Sequence, residues 1–118
     1  MAFRLAAACS LATARSSCRS FSAVTPSTKF VLFYSYVPDV LARRDPFRSE
    51  HLSRIQKLHA AGKVLLGGAW ADPCDGAAII FDETSSKAEI EAFVRDDPYV
   101  KNGLVTEFKI KEWTVVVE

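Results

Sequence analysis

The first 38 positions contain no acidic residue: Asp39 is the first, while Arg4, Arg15 and Arg19 are the only charged residues before Lys29. Cysteine is nearly absent. Of three cysteines, Cys9 and Cys18 lie in that opening stretch, which leaves Cys74 alone in the rest of the chain. A single cysteine can neither staple a fold nor build a cysteine zinc site, and it suits a reduced compartment. No run approaches the ~18 consecutive apolar residues of a membrane-spanning helix. A basic excess is missing too. Removing the three early arginines from 15 basic residues, with all 14 acidic ones kept, leaves a net charge of −2. Nucleic acid and anionic membrane are thereby excluded as main partners, because both demand a basic face that displaces counterions. Nucleotide-binding glycine loops, a serine elbow and a metalloprotease helix motif are also missing: Gly67-Gly68 leads into strand and turn residues rather than a helix.

Residues 1–27, rich in Ala, Ser and Arg, have the composition of an organelle targeting peptide. Arg19-Ser20-Phe21-Ser22 resembles a mitochondrial processing site, with cleavage expected near 21/22. A secretory signal is the rival reading, on Leu5 to Ala14 and the small residues Ala12-Thr13-Ala14; a chloroplast address is a third. Residues 28–118 are then a single domain.

Phe30 to Val37 is apolar on both alternating sets and predicts a strand buried on both faces. Asp45-Pro46 predicts an N-cap and first helical residue, with Leu52, Ile55 and Leu58 at helical spacing until Gly62. Val64 to Trp70 and Ala77 to Phe81 read as two strands joined by the turn residues Asp72 to Gly76. Ser86 and Glu89 form a capping box for a second helix ending near Asp96, and a long fourth strand follows Gly103. The order βαββαβ predicts an α+β, ferredoxin-like fold: an antiparallel sheet with two helices on one face. Its other face would be bare and apolar, and together with Val115-Val116-Val117 it predicts a homodimer.

At about 100° per residue, Arg48 and His51 fall within the apolar stripe of helix one, whereas Ser53, Arg54, Gln56 and Lys57 point away. Inward polar groups near a helix start cost desolvation unless paired, which points to a lined cavity. His59 shares the stripe but reads as structural. Asp97 falls on the face of Ile90 and Phe93 at the negative end of helix two, where a carboxyl is expected to hold its proton more tightly than usual. Cys74, among turn residues without a basic neighbour in sequence, does not read as a nucleophile.

The segments Arg48-Ser49-Glu50-His51-Leu52, Leu58 to Gly68, and Asp97-Pro98-Tyr99 with Gly103-Leu104 closely resemble the YCII-related (YciI-like) family over about residues 29–113. The resemblance implies a dimeric α/β barrel, two ferredoxin-like subunits packed sheet to sheet, with a pocket near the start of helix one. It implies His51 and Asp97 as the catalytic pair, with Arg48, Tyr99 and Gly68 against the substrate. Most members have no established reaction; a few relatives act on chlorinated or hydroxylated aromatic rings, and muconolactone isomerase shares the fold. Ala69 and Glu112 stand where the family often has proline, which bears on pocket shape. The expected function is an acid/base enzyme of isomerase or lyase type on a small organic molecule, with no cofactor and no metal. His51 would be the base or acid, Asp97 its partner or the second acid/base group, and Arg48 an anchor for a carboxylate or enolate. A non-catalytic dimeric metabolite-binding module is the alternative, and a subunit of a larger complex a third reading.

Overall fold

A computed structural model describes residues 26–118. The expected targeting peptide falls almost wholly outside these described residues. The elements are β1 (Ser27–Tyr36), α1 (Val40–Arg43), α2 (Asp45–Ala60), β2 (Val64–Ala69), β3 (Gly76–Phe81), α3 (Lys87–Asp96), α4 (Pro98–Lys101) and β4 (Val105–Val115). The four strands form one sheet in the order β2-β3-β1-β4, with β3 antiparallel to both its neighbours. This is the ferredoxin-like α+β arrangement.

The two faces of the sheet follow from strand alternation. Leu32, Tyr34 and Tyr36 of β1 share a face with Ala77, Ile79 and Phe81 of β3, and all six are buried in the core with Ile90, Phe93 and Val94 of α3. On the opposite face Val31 stands across from Ile80, and Phe33 from Ala78. In β2 the register slips between Val64 and Leu66. Val64 faces the core opposite Phe81, yet Leu66 pairs with Ile80 on the open face, and Gly67 and Ala69 return to the core side opposite Ile79 and Ala77. One extra residue therefore changes the phase of the strand.

Helix α3 begins as its sequence demands. The Glu89 N–H donates to Ser86 Oγ at 3.1 Å and the Ser86 N–H to Glu89 Oε1 at 2.9 Å. The start of α2 differs from expectation. Asp45 lies inside the helix and Arg44 is the N-cap, with no side-chain cap and with helical dihedrals (φ −77°, ψ −22°). The reason is α1, a one-turn helix that runs almost directly into α2 and already bonds the Arg44 N–H to the Val40 carbonyl at 2.9 Å. At the other end of the chain Val115 is buried, which corrects the expectation of an uncovered Val115-Val116-Val117 run; Val116 and Val117 are exposed.

Candidate active site

His51 is the only buried residue of the 16 in α2; Phe47, Ile55 and Leu58 are half-buried against the core. A helix that reserves its deepest position for a histidine must give it a partner. That partner is Asp97, 46 residues away: His51 Nδ1 donates to Asp97 Oδ1 at 2.8 Å, with the carboxylate 0% exposed. Asp97 sits where α3 has ended and α4 begins, in extended conformation (φ −71°, ψ 125°). Its Oδ1 also accepts the Tyr99 N–H at 3.0 Å, capping α4, and Oδ2 accepts the Tyr34 hydroxyl at 2.7 Å from near the end of β1. Tyr99 in turn stacks on the His51 ring, with centroids 3.8 Å apart and planes 6° from parallel. Carboxylate and aromatic ring thus fix both the tautomer and the tilt of the imidazole.

This arrangement reverses the expected protonation of Asp97. Burial alone raises its carboxyl, but the hydrogen bond and attraction of His51, the Tyr34 hydroxyl and the Tyr99 N–H outweigh it and hold the group below the usual carboxylate range. The helix-end argument fails because the side chain turns away from the end of α3 into three donors. Burial, then the Asp97 charge, push the Tyr34 phenol far above its ordinary value, so Tyr34 remains a neutral donor.

In front of His51 lies a pocket of about 270 Å³. Its walls are Leu52 and Ile55 of α2, Gly67, Gly68 and Ala69 of β2, and Ala77 and Ile79 of β3; its polar rim is Tyr36, Arg44, Arg48, His51 and Tyr99. With Nδ1 committed to Asp97, His51 Nε2 has no protein hydrogen-bond partner among the described residues, and it is not sealed from solvent. A ring nitrogen so placed can accept a proton while the buried carboxylate stabilises the resulting imidazolium.

The structure brings His51, Tyr99 and Gly68 to the pocket and places Asp97 directly behind it; Arg48 also lines the pocket but is exposed, which corrects the expectation of an inward arginine. Gly68 pairs with Ala78 of the open face, so it enters the wall by its backbone; Gly67, opposite Ile79, is the position where a missing side chain leaves space on the core side. His59 is exposed, and its Nδ1 donates to the Val64 carbonyl at 2.9 Å, tying the end of α2 to β2. Cys74 is a free, half-buried thiol packed against the core. Arg54 corrects an expectation: it does not point away but crosses to α3, donating to the Phe93 carbonyl at 3.1 Å with its guanidinium 4.5 Å from the Phe93 ring centroid. Sequence reasoning missed Tyr34, Tyr36 and Arg44. The two tyrosines read as core residues of a strand, and Arg44 drew no reading; a signal existed only in the two phenols on one face of a strand otherwise apolar there.

The site is thus a buried histidine–carboxylate pair opening on a small pocket, carried by an α+β, ferredoxin-like sheet. The YCII-related domain matches residues 28–114, and the chain belongs to that family. Among solved structures it is similar to 5-chloro-2-hydroxyhydroquinone dehydrochlorinase (TftG) of Burkholderia phenoliruptrix AC1100 in complex with 2,5-dihydroxybenzoquinone. That match has 25% identity and a TM-score of 0.59, covering 72% of this chain and 92% of the other. A dimeric ferredoxin-like protein from an uncultured marine organism also matches, at 13% identity and a TM-score of 0.42 over 80% of this chain and 92% of that one. No curated protein matches in sequence.

Proposed function

We propose that this protein is an acid/base enzyme of isomerase or lyase type acting on a small organic molecule, with His51 Nε2 as the proton-transferring atom. The hydrogen bond of 2.8 Å from His51 Nδ1 to a fully buried Asp97 carries the reading. In the first step Nε2 takes a proton from an acidic C–H or O–H of the substrate, and the electron pair stays on the substrate as an enolate. Collapse of that enolate either recovers the proton from the imidazolium at another position or expels a leaving group with the electron pair. Asp97 works through His51 as a positioning residue, and Tyr34 holds Asp97. The likeness to a dehydrochlorinase favours a hydroxylated ring as the first substrate to try.

The test is chloride release from 5-chloro-2-hydroxyhydroquinone, together with deuterium exchange from heavy water into 2,5-dihydroxybenzoquinone. Wild type should accelerate at least one, and His51→Ala should abolish it. Binding without either reaction would make the protein a metabolite-binding module instead.

The same reading includes a homodimer through the open sheet face, where Leu66 is 67% and Trp113 46% exposed beside Val31, Phe33 and Ile80. Leu66→Glu with Trp113→Glu should shift sedimentation toward monomer; a wild-type monomer at micromolar concentration would reject the dimer. Mitochondrial import with cleavage near 21/22 is part of the proposal on composition alone, and N-terminal sequencing of the protein from cells decides it.

A further inference from the structure

The polar rim of the pocket is one-sided. Arg44 and Arg48 line it, no Asp or Glu does, and neither arginine has an ion-pair partner among the described residues. Arg44 is half-buried, held where α1 meets α2 by the bonds of its backbone N–H to Val40 and of its carbonyl to the Phe47 N–H at 2.9 Å each. Its guanidinium is free for another task. Tyr36 and Tyr99 complete the rim with a second anomaly. Both residues are buried, their rings meet edge to face with centroids 6.0 Å apart, and neither hydroxyl has a hydrogen-bond partner among the described residues. Buried phenols ordinarily find one. These two are not sealed away either, and both side chains line the pocket.

We infer that the pocket recognises a small organic oxyanion, a carboxylate or the enolate of a hydroxylated ring, with Arg44 and Arg48 supplying charge and the Tyr36 and Tyr99 hydroxyls supplying neutral hydrogen bonds. This substrate class rests on the acid/base reading above. Two unpaired cations beside two unpartnered donors form an electrostatic receptor, and the aliphatic walls of Leu52, Ile55, Ala77 and Ile79 strengthen it by keeping the local dielectric low. Burial raises both phenols above their ordinary values, in Tyr99 against the opposing pull of Arg44 and Arg48, so they meet an anion as donors rather than as phenolates. An enolate formed when His51 takes a proton would carry its charge toward the same rim, which makes Arg44 and Tyr36 candidates for direct contact with the reacting oxygen.

Isothermal titration with matched probes tests this: 2,5-dihydroxybenzoquinone, anionic near neutrality, against its neutral dimethyl ether, and benzoate against benzamide, each at low and high salt. Each anion should bind at least about tenfold more tightly than its neutral counterpart, as a charge-assisted hydrogen bond allows. Arg44→Met should erase that preference, Arg44→Lys should restore part of it, and Tyr36→Phe should lower anion affinity several-fold, while His59→Ala changes nothing. The inference is overturned if neither anion binds at millimolar concentration, if neutral and anionic probes bind alike, or if Arg44→Met and Tyr36→Phe both leave the preference intact in folded protein. The two readings separate cleanly. Loss of turnover in His51→Ala without anion preference keeps the acid/base reading and rejects the oxyanion site; anion preference dependent on Arg44, with turnover indifferent to His51→Ala, does the reverse.

Discussion

Helix α2 carries one histidine near its middle and one in its last turn, and the two form a natural comparison. Both donate from Nδ1 across a similar distance, His51 to the Asp97 carboxylate at 2.8 Å and His59 to the Val64 carbonyl at 2.9 Å. Both keep Nε2 off the protein. Yet His51 is 5% exposed at the back of a pocket, against a charged partner and an aromatic plate, whereas His59 is exposed, lines no described pocket and pairs with a neutral carbonyl. One well-formed hydrogen bond does not make a reactive histidine. Of the two, His51 alone combines a charged partner, burial of the ring and open space at its second nitrogen.

The largest break in the comparison should come from removing each imidazole and measuring turnover of whichever probe the wild type converts. His51→Ala should lose about 10²–10⁴-fold, the usual range for a positioned acid or base, and His59→Ala should lose nothing. Second in size is the loss of a partner. Asp97→Ala strands three donors in the core and should lower unfolding free energy by about 3–5 kcal/mol. His59→Ala removes one part-exposed hydrogen bond and should lower it by about 1 kcal/mol. Chemical denaturation of the two variants gives both values.

Tyr34→Phe makes a finer cut, at about 1.5–3 kcal/mol for one buried hydrogen bond to a charged group. It also changes the acid limb. A carboxyl held below its ordinary pKa of about 3.9 contributes stability that is fully present above that pH and lost as pH falls through the depressed folded value. Loss of the Tyr34 donor raises the folded value, so Tyr34→Phe should begin acid unfolding at higher pH than wild type. His59→Ala, which touches no carboxylate, should leave that limb in place. Circular dichroism followed from neutral pH downward reads both curves, and an unmoved limb in Tyr34→Phe would mean that its hydroxyl does not hold the Asp97 charge.

The strand and helix order was legible because local chemistry announces it. The Ser86 and Glu89 box makes both of its bonds, and Gly62 and Gly103, with φ of 81° and 76°, stop the chain where expected. What escaped was short or long-range. One-turn helices such as α1 and α4 have no periodicity to detect, and missing α1 put the N-cap on Asp45 instead of Arg44. His51 and Asp97 were visible as polar residues on apolar faces. Tyr34 was not, because a tyrosine on a buried strand looks like core until the acceptor of its hydroxyl, 63 residues on, is known. The sign of the Asp97 shift was misread for the same reason: a helix-end effect is local, and its three donors come from three separate elements.

The face-to-face contact between Tyr99 and His51 has a stereochemical consequence. A ring covered on one face and tethered through Nδ1 cannot swivel, so Nε2 meets a bound molecule along a single line in the plane of the imidazole. Under the proposed chemistry, a proton taken along that line would be handed back to the side from which it came. Proton shifts in this pocket would therefore be suprafacial, and a prochiral methylene would surrender always the same one of its two hydrogens.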